Sequence, residues 1–531
     1  MSATSVLKAL PKTSADFAAF AKAFVNGLQS EDFADHQPAN IAAIVQDIYN
    51  FGKRRTGSEQ LITTKVVEGR KKGWLHERTR LYIVSPDRAF IIDSVTAELN
   101  RRNLLIRTLF HPVISVKRDA KGTIETVEAR DHGKGTNESW LVLEVQGAMG
   151  ANARRLLEQD IQRVLGDVLL ATRDWQAMRT ELKNTIAEVN EYKGPLMKGD
   201  PGNTTEYVAF LRYLYENNFT LLGYREYKFG EKDGEIISSM IPNKSLALLS
   251  DERTPVYINK SAIPLPQDLQ QLRHNAPLVS VYKVNRRSTV HRPVPLDAIT
   301  IKTLDGKGRV VGEKLFVGLF TSVTYSRSIL DVPLIRHKLQ QVVNDAHFAS
   351  DSHDFRALSH ILEKYPRDEL FQMPVEQIRE HAVGILRLQD RPRVALYTRV
   401  DDFRRYVSCL VYVPRERYET DLRLKIQGIL EEELDGVCEN FYTTLDDSPL
   451  ARVMFIVATE QRLRRKYDFP AIEKKLVAAS RTWTERLRFA LMENMNDERR
   501  AVELAMMYDT AFPVSYRDHF SPDDAVTDID K

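Results

Sequence analysis

Arg80 to Arg118 reads RLYIVSPDRAFIIDSVTAELNRRNLLIRTLFHPVISVKR, and this stretch decides the fold class. Leu81, Ile83 and Val84 make a short apolar run that Pro86-Asp87 closes. Ile91, Ile92, Val95 and Leu99 then recur at helical spacing, and from Leu104 to Val116 the pattern becomes extended again. A strand, an amphipathic helix and a second strand in one continuous unit form a βαβ element. That points to a regulatory fold rather than to a catalytic site.

Working outward, a turn-rich stretch at 119–135 leads to a strand at Ser139 to Val145. A long helix carrying Leu156, Leu157, Ile161, Val164, Leu165 and Leu169 follows. The order βαββα predicts a ferredoxin-like sandwich, an antiparallel sheet covered on one face by two helices. A second copy is expected further on. Its strands are Arg393 to Thr398, Tyr406 to Val413, Val437 to Thr444 and Ala451 to Ala458, with helices at Glu419 to Leu434 and Pro470 to Leu491. Both copies end alike, on Ala171-Thr172-Arg173-Asp174-Trp175 and on Ala479-Ser480-Arg481-Thr482-Trp483. This short match is compatible either with duplication or with two helices that each bury a Trp.

Residues before about Thr56 read as helices, with Ala18, Phe20, Ala21 and Phe24 on one face and Ile41, Ile44, Ile48 and Tyr49 on another. Between the two sandwiches, a helix bearing Val208, Phe210, Leu211, Leu214 and Tyr215 precedes strands at Phe219 to Phe229, Leu278 to Asn285, Ala298 to Leu304 and Gly312 to Thr321. A helical linker spans Pro333 to Arg387, and Glu498 to Tyr508 is a last helix. The ending, FPVSYRDHFSPDDAVTDIDK, shows no closing element of its own. The expected division is 1–60 helical, 61–180 first sandwich, 181–330 middle module, 331–390 linker, 391–495 second sandwich and 496–531 connecting segment.

Composition bounds the function. The 531 residues suffice for several domains of roughly 150 residues each. With 76 basic against 73 acidic residues, nothing favours nucleic acid. Basic clusters at Lys53-Arg54-Arg55, Lys71-Lys72, Arg286-Arg287 and Arg462 to Lys466 are interleaved with or followed by acids and read as solvated faces. The longest apolar runs, Val407 to Val413 and Val453 to Ala458, are far below the ~18 residues of a membrane span. Two cysteines, Cys409 and Cys438, lie in strand-like runs and fit buried thiols in the cytoplasm.

Catalytic signatures are missing: there is no phosphate loop, no HExxH and no GxSxG. Gly306 to Gly312 is spaced GxGxxxG between two strands and reads as a hairpin turn on Asp305-Gly306. His347, Asp351, His353, Asp354 and His360 match no metal-site spacing, and Asp351 or Ser352 suits a helix cap. Asp368-Glu369 reads as a helix start with acids at the positive end of the dipole. Asp87 and Arg88 sit in a βα turn whose free N–H groups can receive an anion, and Asp93 and Ser94 follow on the helix's first turns. The competing expectation is that Asp87 simply caps the helix.

The run Asp87 to Ile92, with Val95, Leu99 and Ile106, resembles the ACT-domain pattern, in which Asp-Arg-Pro-Gly-Leu-Leu opens the helix of a small-molecule-binding module. Here Ala89 and Phe90 replace Pro and Gly, and a bulky Phe90 stands where an effector would approach the backbone. Phe90 to Arg102, Phe219 to Tyr227, Phe316 to Ser322, Tyr365 to Gln372 and Val407 to Arg415 together resemble the N-terminal region of the large bacterial NAD-specific glutamate dehydrogenases.

That resemblance implies an α+β chain, with ferredoxin-like (ACT-like) sandwiches flanking a PAS-like mixed α/β module joined by helical linkers. It implies a regulatory and oligomerisation portion, inactive alone, with catalysis by a further domain of the same polypeptide. NAD would serve the full-length enzyme, with no catalytic, cofactor or metal residue in this chain. It further implies self-association through the ACT-like domains and an amino-acid effector at Asp87, Arg88, Asp93 and Ser94, with no membrane partner. The alternatives are a free-standing ACT/PAS-like sensor acting on a separate partner, and an enzyme built on Asp87, Arg88 and His111.

Overall fold

The computed structural model describes residues 3–531 except 12–13, 34–35, 72–73, 131–134, 198–199, 201, 233–234, 251–276, 349–351, 404, 460–465, 496 and 509. The chain is α+β with antiparallel sheets, and it divides into two compact units, Met1–Arg327 and Ser328–Lys531.

In the first unit, helices α1 (Ala3–Ala9), α2 (Ala15–Asn26) and α3 (Pro38–Gly52) precede the first sheet. Its elements are β1 (Leu61–Lys71), β2 (Trp74–Pro86), α4 (Ile91–Arg101), β3 (Ile106–Phe110), β4 (Val113–Arg118), β5 (Ile124–Ala129), β6 (Thr136–Gln146) and α5 (Ala151–Arg173). The spatial order is β1-β2-β6-β4-β5, with β3 also on β6. The predicted core of this sandwich is present, but three details differ. The apolar run at Leu81 is the second half of a hairpin whose first strand, β1, is too polar to stand out. The stretch read as turns contains β5. The extended run from Leu104 is two strands broken at His111-Pro112, because proline cannot donate to the ladder.

Both faces of this sheet are covered, not one. Leu81, Ile83, Leu141 and Leu143 pack against Val95, Leu99, Leu157, Ile161 and Leu165 of α4 and α5. The alternate residues Tyr82, Val84, Trp140 and Val142 pack against Phe20, Phe24, Ile44 and Ile48 of α2 and α3. A buried ion cluster ties the end of α3 to the sheet. Glu138 accepts from Arg55 Nη2 at 2.7 Å and from Arg118 Nε and Nη2 at 2.7 and 2.8 Å.

After α6 (Trp175–Glu191) and α7 (Thr204–Tyr213) comes a five-stranded sheet of β7 (Phe219–Lys232), β8 (Glu235–Ala247), β9 (Val279–Arg287), β10 (Pro295–Leu304) and β11 (Val310–Phe320). Its order is β8-β7-β11-β10-β9, so the first and last strands lie side by side. Strand β8 was not expected: Pro242 and Asn243 interrupt its pattern, and its pairing with β7 slips between Arg225 and Tyr227. Leu222, Leu296, Ala298, Leu315 and Val317 share one core with α4 and α5. The first ACT-like helices are thus sandwiched between two sheets.

The second unit opens with α8 (Ile335–Asp345), α9 (His353–Lys364), α10 (Arg367–Gln372) and α11 (Val375–Asp390). Its sheet holds β12 (Ala395–Val400), β13 (Tyr406–Pro414), β14 (Gly436–Thr444) and β15 (Leu450–Thr459), in the order β12-β13-β15-β14. Helices α12 (Thr420–Leu434) and α13 (Phe469–Ala479) cover one face through Ile426, Leu430 and Leu476. The expected linker covers the other. Arg399 Nε of β12 lies 2.6 Å from Glu369 of α10, both nearly fully buried, and the Tyr397 ring packs tilted with its centroid 5.1 Å from that of His381 of α11. Glu369 is the first-turn helix acid expected and is also an interior ion-pair partner.

The shared five-residue pattern lies at the same place in both modules, where the last sandwich helix stops and the next begins. α5 gives way to α6 at Asp174, and α13 to α14 (Trp483–Asn494) at Ser480–Thr482. The two tryptophans differ: Trp483 is 7% exposed and Trp175 is 42% exposed. The last residues, expected to hold no element of their own, form helices that pack on α14. After α15 (Glu498–Met507) and α16 (Val514–His519), α17 (Pro522–Ile529) starts on a Ser521/Asp524 capping box and buries Ala525 and Val526 against Trp483 and Leu487.

Candidate functional site

The turn joining β2 to α4 gathers the residues that the sequence singles out. Asp87 does not cap α4. Its N–H donates to Asn137 O at 2.9 Å, and its Oδ1 accepts from Ser139 Oγ at 2.6 Å. The cap position belongs to Phe90, whose φ of 73° is left-handed and whose side chain makes no capping bond. A Gly would take that conformation without strain.

Ser139 Oγ also lies 3.0 Å from His111 Nε2, so Asp87, Ser139 and His111 form one hydrogen-bonded chain. Sequence reasoning named Asp87 and His111 but missed Ser139, which sits inside the apolar run of β6. Because the Ser139 proton goes to Asp87, His111 must donate through Nε2–H, and burial lowers its pKa. The hydroxyl lies between acid and imidazole and is fully buried. In a nucleophilic triad the imidazole lies between them and takes the hydroxyl proton. This chain therefore clamps the turn to β6 and the β3–β4 break, and it is not arranged to activate Ser139.

Arg88 is held differently. Its Nη1 reaches Thr172 Oγ1 at 3.4 Å, its Nε is buried without a hydrogen bond, and it has no carboxylate partner among the described residues. Burial lowers its pKa. In the second sandwich the corresponding turn, between β13 and α12, carries Arg417, which makes two hydrogen bonds of 2.9 and 3.0 Å to Glu485.

Asp93 and Ser94 are engaged from the five-stranded sheet. His291, in the β9–β10 loop, places Nδ1 2.8 Å from Asp93 Oδ2, donates its backbone N–H to Ser94 Oγ at 3.0 Å and sets its ring, tilted, 5.1 Å from that of Phe90. His291 had no signal in the sequence. The structure thus brings Asp87, Arg88, Asp93 and Ser94 onto one turn, but an effector there would meet His291 first.

Other candidates sort plainly. Asp305 Oδ1 accepts the N–H groups of Lys307 and Arg309 at 2.9 Å each, which makes the glycine run a β10–β11 hairpin turn. Ser352 caps α9 by accepting from Phe355 N–H. Asp351 and Arg462 to Arg465 lie outside the described residues. Cys409 is buried and Cys438 half-buried, both as free thiols, so only the first is the interior thiol expected. The named strand ladders are all antiparallel, so the described residues hold no parallel βα crossover to set a pyrophosphate on a helix N-terminus. Among the described residues, no helix is long and apolar enough to cross a membrane.

Four family models match the chain. "Glutamate dehydrogenase, ACT1 domain" covers residues 20–161, helical motif 1 covers 332–391, ACT2 covers 395–484 and helical motif 2 covers 490–531. The ACT1 match takes in the second half of α2 and all of α3, which form the second cover of the first sheet. A protein named NAD-specific glutamate dehydrogenase from Halomonas elongata is 32% identical over 96% of the chain and 32% of its own length. Proteins of the same name from Pseudomonas aeruginosa and Mycobacterium tuberculosis are 31% and 26% identical, over 98% and 85% of the chain and over 32% and 27% of their own lengths.

The chain spans about a third of the length of the curated relatives it matches. These matches correct the expectation of a regulatory and oligomerisation portion and that of a free-standing sensor. Nearly every residue aligns with proteins named NAD-specific glutamate dehydrogenase. Its segments match the models of the ACT1 and ACT2 domains and of both helical motifs of glutamate dehydrogenase, and along almost all of its length it is similar to the NAD-specific glutamate dehydrogenases.

Proposed function

We propose that this chain takes part in the NAD-dependent oxidation of L-glutamate to 2-oxoglutarate and ammonia. The observation that carries this reading is the 32% identity over 96% of the chain to a protein of that name, together with two domains and two motifs described for the same enzyme. A stop codon placed early in its coding sequence tests it. Extracts of such cells lose NADH formation from L-glutamate and regain it on complementation; extracts that keep the full rate contradict the proposal.

Within that activity, the ACT domains take regulatory and assembly roles. For self-association, the support is β14, an edge strand that exposes Val437, Phe441 and Tyr442 at 67%, 44% and 53%. An amino acid is the effector that suits the α4 turn, where Arg88 lacks a carboxylate partner among the described residues and Asp93 is available to an ammonium group once His291 leaves. The five-stranded sheet, with its first and last strands adjacent and helices before it, supports the PAS-like reading. The cytoplasm is the compartment that suits two free thiols.

A further inference from the structure

The loop between β9 and β10 is built to hold one shape. Ser288 N–H donates to Val294 O at 2.9 Å, Ser288 Oγ accepts from Val290 N–H at 3.1 Å, and Val294 N–H donates to Arg292 O at 2.9 Å. Val290 at its tip is fully buried, in the same core as Ile91 and Val95 of α4. The loop grips both helices of the first ACT domain. His291 takes Asp93 and Ser94 of α4, while Thr289 Oγ1 donates to Asp167 of α5 at 2.6 Å and Arg286 Nη2 lies 3.4 Å from the same carboxylate.

The two residues that face each other across this contact are both held at positive φ although neither is glycine, Phe90 at 73° and His291 at 68°. Such backbone persists only where the surroundings over-determine it, and it concentrates at clamps and switch regions.

We propose that residues 288–294 are a tethered plug. The loop occupies the α4 turn as an intramolecular ligand, closes it to free small molecules and couples α4 to the β9–β10 edge of the five-stranded sheet. Tethering gives the loop an effective concentration on the order of millimolar, so a free ligand that needs Asp93 and Ser94 must displace it. One change at His291 therefore alters two segments of chain almost two hundred residues apart, and a ligand at the turn alters the sheet edge. Only the identity of the displaced turn as an effector site rests on the function proposed above.

The test is hydrogen exchange by mass spectrometry on the 531-residue chain. His291→Gly keeps the backbone donor and accommodates positive φ, so it removes the imidazole alone; Ser94→Ala removes the acceptor from the other side. Each variant is expected to speed exchange about tenfold or more in both 88–96 and 286–294, while β4 at 113–118 stays unchanged as the folding control. Acceleration confined to the mutated segment, or none, overturns the plug. The second arm adds L-glutamate. Protection of 88–96 in the unaltered chain with 286–294 undisturbed also overturns it. Protection of 88–96 in His291→Gly alone supports plug and effector site together. If the exchange coupling holds and no chain responds to L-glutamate, the plug stands and the effector reading of the turn fails.

Discussion

Replacing Glu138 by Gln removes one charge from the deepest ion cluster of the first unit without changing its shape. The carboxylate is fully buried and takes three hydrogen bonds of 2.7 to 2.8 Å from Arg55 and Arg118, which are 4% and 9% exposed. With Gln in place, two buried guanidinium groups face an amide whose NH2 can point only at one of them. Breaking a buried pair in this way costs about 3 to 5 kcal/mol, a large fraction of the 5 to 15 kcal/mol by which domains are usually stable. Both arginines also hold backbone carbonyls, Arg55 those of Gly57 and Glu59, and Arg118 those of Gly52 and Gly122. Removing all three charged groups together therefore recovers only part of the loss. Since 1.4 kcal/mol is a factor of ten, amides of β4 and β6 in Glu138→Gln should exchange between about a hundred and a few thousand times faster. Exchange within about threefold of the unaltered chain would refute the reasoning, because it would mean that the cluster holds nothing together.

Three more outcomes follow from the packing and protonation of other buried groups. Burial pushes His381 down to about 4 from 6.5, where its Nδ1 shares a 2.8 Å hydrogen bond with the Tyr365 hydroxyl. The unfolded chain therefore binds more protons between those values, and stability is complete above about pH 6.5 and lost toward pH 4. Going from pH 7 to pH 5 costs the second unit about 2 kcal/mol, read by exchange across α11, and His381→Gln should remove that slope. Gly52→Ala puts a methyl 2.3 Å from the Trp140 ring and 2.9 Å from Val84 Cγ2, an overpacking worth about 1 to 3 kcal/mol by urea unfolding. Trp483→Ala should cost about 3 to 5 kcal/mol, while Trp175→Ala, half in solvent beside Arg179, costs under about 1 kcal/mol; equal effects would show that the repeated pattern buries its Trp alike.

How much was legible depended on whether the signal was local. The period of 3.6 over Ile91 to Leu99, and the apolar strands at Tyr406 to Val413 and Ala451 to Ala458, announced both sandwiches because burial repeats along the chain there. Strands β1, β5 and β8 did not, since each pairs at or near a sheet edge or runs polar, and a half-exposed strand carries little pattern. The last helix could have been read: Ser521-Pro522-Asp523-Asp524 is a cap, a proline at the first helical position and acids on the dipole. The helical segments at either end of the sandwiches were visible as helices, but nothing local said that they cover sheets.

At the site the same division holds. Asp87, Arg88, Asp93 and Ser94 share one turn and could be named from spacing. His291 meets Asp93 across 198 positions of sequence, and Ser139 meets Asp87 across 52, so only the fold could introduce them. Phe90 was legible as an oddity, a bulky residue at a glycine's place, and the structure adds that it keeps the left-handed backbone all the same.

The most direct measurement is immunodepletion. An antibody raised to residues 1–531 is used to clear an extract of cells that make this protein, and NADH formation from L-glutamate is followed in the supernatant and on the beads. The account predicts that the activity leaves the supernatant and appears with the captured protein. Activity that stays wholly in the supernatant, with the protein captured in full, would contradict it.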